Sequence, residues 1–144
     1  MVKGGLRLGL ALAAMVWALP AMANEKIAIQ VNSADPQVMN MALNNALNMI
    51  KYYKDKGEEV QIEMVTYGPG LNMLRADTSP VKARVEEMAM LGQPIHFRAC
   101  ANTLAAMTKK LGKEPPMVEE AEIVPSGAAY LVDLQRDGYA YLRP

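Results

Sequence analysis

The chain has 144 residues, 51% of them hydrophobic, with 15 Lys and Arg balanced by 15 Asp and Glu, one histidine and one cysteine. No basic excess marks it as a nucleic-acid binder, and a single cysteine excludes an internal disulfide. Cys100 is therefore a free thiol, an intermolecular partner or a site of sulfur chemistry.

The first residues, MVKGGLRLGLALAAMVWALPAMANEK, have the layout of a secretory signal peptide. Lys3 and Arg7 precede an apolar run from Leu8 to Leu19, which ends in Pro20 and the small-residue stretch Ala21-Met22-Ala23. The run is too short for a comfortable membrane span. Cleavage is expected after Ala23, leaving residues 24–144 as a single periplasmic domain with no membrane association. Loss of Lys3 and Arg7 from 15 basic residues against 15 acidic ones gives a net charge of −2.

In chain order, Lys26 to Val31 reads as a strand rich in β-branched residues. Asn32-Ser33-Ala34-Asp35-Pro36 then supplies turn and capping side chains. From Val38, the apolar positions Met39, Leu43, Ala46, Leu47, Ile50 and Tyr53 recur at helical spacing. That helix should stop near Lys56-Gly57. Glu59 to Tyr67 alternates apolar and polar residues as a second strand and runs into Gly68-Pro69-Gly70, with a helical turn expected at Leu71 to Leu74. Pro80 to Met90 suits a helix with Ser79 as its cap and Pro80 in the first helical position. Ile95 to Ala99 reads as a third strand and Asn102 to Leu111 as the helix after it. Ala121 to Val124 is a fourth strand, followed by the turn Pro125-Ser126-Gly127. Ala128 to Gln135 is a helix and Tyr139 to Leu142 a fifth strand.

Strands that alternate with helices predict an α/β fold, a three-layer α/β/α sandwich around a mainly parallel five-stranded sheet. Sites in such folds form beyond the carboxyl ends of the strands. Asn32-Ser33, Gly68-Pro69-Gly70, Cys100 and Pro125-Ser126-Gly127 all fall there.

Cys100 sits at the junction of the third strand and the following helix. Free N–H groups and the positive end of a helix dipole stabilise a thiolate at that position; a small buried hydrophobe is the plainer account of a free cysteine. His96 and Arg98 leave the same side of the strand as Cys100 and are candidates to assist it. His96 lies about 6.6 Å away along the strand at about 3.3 Å per residue. Gly68 and Gly70 can present backbone N–H groups to an anion or simply make a tight turn; the lysine and spacing of a P-loop are lacking. No acid pair, Ser-His-Asp set or CxxC pair is present, so conventional turnover has the least support. Methionine sulfurs bind Cu(I), but Met39, Met41, Met49, Met64, Met73, Met88, Met90, Met107 and Met117 fall in helix and strand patterns that suit core packing.

Taken together, Tyr67-Gly68-Pro69-Gly70, Cys100-Ala101-Asn102-Thr103-Leu104, Pro125-Ser126-Gly127, and Leu134-Gln135 with Gly138-Tyr139-Ala140-Tyr141 resemble the DsrE/DsrF-like family, also described as sulfur-relay or YchN-like. The resemblance runs from about Lys26 to Pro144. It implies a flavodoxin-like fold without flavin or any other cofactor, no metal, and assembly into trimers or hexamers. It also implies sulfur carried as a persulfide on Cys100, between a donor and an acceptor that are proteins or small sulfur species. Asn102, Thr103, Gly68, Gly70, His96 and Arg98 are the binding residues expected around it. The alternative is an oligomeric ligand- or partner-binding module in which Cys100 is structural.

Overall fold

A computed structural model describes residues 24–144; the proposed signal peptide lies outside the described residues. Five strands form one sheet: β1 (Asn24–Val31), β2 (Glu59–Thr66), β3 (Ile95–Cys100), β4 (Ala121–Val124) and β5 (Ala140–Leu142). Their order is β4-β3-β2-β1-β5, and every pair is parallel. Four α-helices connect them: α1 (Pro36–Lys56), α2 (Lys82–Met90), α3 (Ala101–Leu111) and α4 (Gly127–Arg136), with a 3-10 segment at Gly68–Leu74. The expected α/β sandwich is the fold observed.

The chain steps from β1 to β4 in one direction, so right-handed crossovers keep α1, α2 and α3 on one face. Met39 and Leu43 of α1, Val85 and Met88 of α2, and Ile29, Ile62, Met64 and Phe97 of the sheet form the larger core there. Leu104 and Met107 of α3 pack against its margin. The last crossover returns from β4 to the far side of β1 and places α4 on the opposite face. Leu131 and Leu134 of that helix close a small second core over Ala28 and Val65. Four of the methionines, Met39, Met64, Met73 and Met88, are buried as expected, whereas Met41 and Met90 are exposed. Among the described residues, no helix is long and apolar enough to cross a membrane.

Local chemistry explains the element boundaries. Asp35 caps α1 by accepting the Gln37 N–H at 2.8 Å, and Gly57 ends it at φ 73°, in the left-handed region open to glycine. The α2 boundary differs from the sequence expectation. Ser79 does not cap this helix: its hydroxyl donates to the Met73 carbonyl at 2.6 Å and accepts the Val81 N–H at 3.3 Å, tying the 3-10 segment to the turn. Helix α2 accordingly starts at Lys82, beyond Pro80, with Val81 as an N-cap that makes no side-chain bond.

Gly70 is fixed by close backbone approach. A Cβ at this position would lie 2.2 Å from the Val31 carbonyl oxygen, so only glycine lets the segment after β2 cross the end of β1.

Candidate functional site around Cys100

Strands β3 and β4 are register partners at their carboxyl ends, Cys100 opposite Val124. The helices that follow them leave to opposite faces of the sheet. This divergence opens a crevice at a topological switch point, and Cys100 stands in it. The N-terminus of α3 begins at the next residue, and the N-terminus of α4 arrives from β4 through Pro125 and Ser126.

Ser126 is the N-cap of α4, its hydroxyl accepting the Ala129 N–H. Its extended backbone turns the chain so that Gly127 is seated on the cysteine. A Cβ at Gly127 would lie 3.1 Å from Tyr67 Cβ and 3.3 Å from Cys100 Cβ, so the first turn of α4 packs directly on the thiol-bearing carbon.

Thr103 joins a third element to the site. Its Oγ1 accepts the Gly68 N–H at 2.9 Å, which fastens the turn after β2 to the first turn of α3. The Thr103 hydroxyl keeps its own proton for a further acceptor. Burial pushes the Cys100 thiol up; against it act the backbone of Gly127, the hydroxyl of Thr103, and the backbones of Thr103 and Asn102, and the balance holds the thiol below its ordinary value. Cys100 is the N-cap of α3 and makes no side-chain capping bond. Cys100 is only 4% exposed in the isolated chain. The arrangement can stabilise a sulfur anion almost wholly shielded from solvent.

The expected residues divide into two groups. Cys100, Asn102, Thr103 and Gly68 come together; Gly70 stands behind them as a backbone crossing. His96 and Arg98 share the face of Cys100 but are engaged elsewhere. Arg98 Nε donates to Glu63 at 2.5 Å and Nη2 to the other Glu63 oxygen at 3.2 Å, while Nη1 pairs with Glu122. His96 Nδ1 lies 3.4 Å from Glu122. The Glu63 hydrogen bond, with its charge, holds Arg98 further up than an ordinary guanidinium despite burial.

Gly127 and Glu63 had no role assigned from sequence. The position of Gly127 after a strand was the available signal, because every turn at that end of the sheet was a candidate. Glu63 gave a misleading one. Its place in the alternation of β2 suggests a solvent face, but β2 is central and Glu63 is 2% exposed, with Tyr130 of α4 donating to it at 3.3 Å. Burial and the Glu63 charge push Tyr130 up, partly opposed by Arg98.

A cavity of about 600 Å³ near Ile50, Lys54, Val60, Gln61, Leu91 and Pro94 lies at the amino ends of the strands and contributes no group to Cys100. No family model and no curated protein matches the chain. Among solved structures, it is similar to the protein MTH1491 of Methanobacterium thermoautotrophicum, described as a protein of unknown function. The identity is 31% and the TM-score 0.71, and the match covers 83% of this chain and 99% of that one. At that identity, over the full length of the neighbour, the chain belongs to the same family as MTH1491.

Proposed function

We propose that this protein is a periplasmic member of the DsrE/DsrF-like group that accepts and passes on sulfane sulfur through Cys100. The observation that carries the reading is the packing of three elements around one thiol: α3 starts at the residue after Cys100, the first turn of α4 sits on the Cys100 Cβ at Gly127, and Thr103 fastens the Gly68 turn beside them. A persulfide anion needs the same donors as a thiolate.

In the transfer, the Cys100 thiolate attacks the outer sulfur of a hydropersulfide or polysulfide. The S–S bond of the donor breaks, its inner sulfur leaves as a thiolate with the electron pair, and Cys100 becomes a persulfide that keeps the proton of the transferred sulfur. No external oxidant or reductant enters. Transfer to an acceptor repeats the exchange in reverse. Assembly as a trimer or hexamer belongs to the same proposal, supported by the edge strands β4 and β5 and by exposed Ile123 and Tyr141 upon them.

Intact mass after polysulfide treatment tests the proposal. Wild-type protein gains a sulfur atom and Cys100→Ser gains none; equal loading of the two overturns it. The 4% exposure of Cys100 favours a second reading, an oligomeric ligand- or partner-binding module in which Cys100 packs the crevice. In that case the wild type does not load either.

A further inference from the structure

Beneath Cys100 lies a charged cluster that the sulfur chemistry does not use. Strand β3 carries both, since Arg98 and Cys100 leave the same face about 7 Å apart at about 3.3–3.4 Å per residue. Helix α4 presents a matching pair. Gly127 and Tyr130 are three residues apart, about 4.5 Å in rise and on one face.

The two pairs meet in register. Gly127 packs on Cys100, while the Tyr130 ring lies over the Arg98 guanidinium, 5.8 Å from its centroid. The Tyr130 hydroxyl donates to Glu63 Oε2 at 3.3 Å, the oxygen that Arg98 Nε also binds at 2.5 Å. Tyr130 N–H bonds the Ser126 carbonyl at 2.9 Å, so the anchored residue closes the turn that contains Gly127. Glu122 and His96 complete the cluster towards solvent, and Tyr139 packs against the small core beside it.

The rest of the seat of α4 is apolar: Leu131 and Leu134 against Ala28 and Val65, with Tyr67 and Tyr139 packed against them. Apolar contacts are non-directional and let a helix slide or rotate about its axis. A fork of charged hydrogen bonds does not, and donation from an N–H weakens steeply once it is misaligned.

We propose that Glu63, Arg98 and Tyr130 are positioning residues that fix the first turn of α4 against Cys100. The inference rests on the reading of Cys100 as a reactive thiol, and it makes the cluster the support of the donor set.

Thiolate absorbance against pH tests it, read beside melting temperature in Tyr130→Phe, Glu63→Gln and, as a control from the other face of the sheet, Met88→Ala. Tyr130→Phe keeps the ring over Arg98 and removes the bond to Glu63; it should raise the ionisation midpoint of Cys100 by about 0.5–1 pH unit. For Glu63→Gln the sign decides. Loss of a nearby negative charge acting through space lowers a thiol midpoint, whereas release of α4 raises it. Met88→Ala should lower the melting temperature without moving the midpoint. A folded Tyr130→Phe protein that ionises like wild type overturns the proposal, as does a downward shift in Glu63→Gln or an equal upward shift in Met88→Ala. If Glu63→Gln does not fold, Tyr130→Phe alone decides. Polysulfide loading of the wild type separates failure of this inference from failure of the sulfur-carrier reading.

Discussion

The Thr103 hydroxyl accepts the Gly68 N–H at 2.9 Å across 35 residues of sequence and is among the groups that hold the Cys100 thiol below its ordinary value. One side chain thus ties the turn after β2 to the thiol. Thr103→Val keeps the shape and removes both bonds, so it should raise the Cys100 ionisation midpoint and cost about 1 kcal/mol of stability. Thr103→Ser should restore the midpoint. Thiolate titration with urea unfolding checks both; an unchanged midpoint in Thr103→Val contradicts the relay.

Ionisation of Cys100 gives stability a pH dependence of defined sign. The folded-state value is depressed, so the contribution is fully present above the unfolded thiol value, ordinarily 9.0, and is lost as pH falls through the folded value. The unfolding free energy of wild type minus that of Cys100→Ser should therefore grow as pH rises towards 9.0 and then level off. Urea unfolding of both proteins at stepped pH measures it. A difference that shrinks with rising pH would sink the claim.

Gly127→Ala places a methyl against Tyr67 and Cys100 at 3.1–3.3 Å, tighter than ordinary contact. The first turn of α4 must give way by a few tenths of an ångström. The expected result is a loss of about 1–2 kcal/mol together with a raised thiol midpoint. Destabilisation with an unmoved midpoint would show that the Gly127 N–H is not a donor to the sulfur.

Gly70→Ala meets backbone rather than side chain, and the Val31 carbonyl has nowhere to move without breaking the end of β1. Its cost should exceed about 4 kcal/mol, which circular dichroism melting would show as loss of the folded transition.

Arg98→Ala leaves the buried Glu63 carboxylate without its main partner. Removal of one member of a buried pair costs about 3–5 kcal/mol. Replacement of Arg98 and Glu63 together by Met and Leu should recover much of that loss, and a double-mutant cycle in urea measures the recovery.

Much of this architecture is legible in the sequence because its signals are local. The spacing of Met39, Leu43, Ala46 and Ile50 marks α1, Asp35 and Gly57 mark its ends, the β-branched run from Ile27 to Val31 marks β1, and the alternation from Glu59 to Tyr67 marks β2. Cys100 was identifiable as a candidate from its place between a strand and a helix. The surroundings of the thiol were only half visible: Asn102 and Thr103 lie two and three residues after Cys100, but Gly127 reaches it through the pairing of β3 with β4. The grouping of Arg98 with Cys100 came from strand periodicity, which fixes the face of a side chain and not its partner. Glu63 won Arg98 because β2 lies beside β3, a relationship set by tertiary pairing. Ser79 shows the same limit at short range, its hydroxyl taken by the Met73 carbonyl rather than by the helix it precedes.

Helix α4 is the last helix of the chain, and it carries the Gly127 donor. Before residues 126–136 have docked, Cys100 has the donors of α3 alone and no wall opposite. The lowering of its thiol ionisation is thus a product of completed folding. A polypeptide ending at Val124 would carry a more ordinary sulfhydryl, so the chemistry of this residue reports whether the C-terminal crossover has closed.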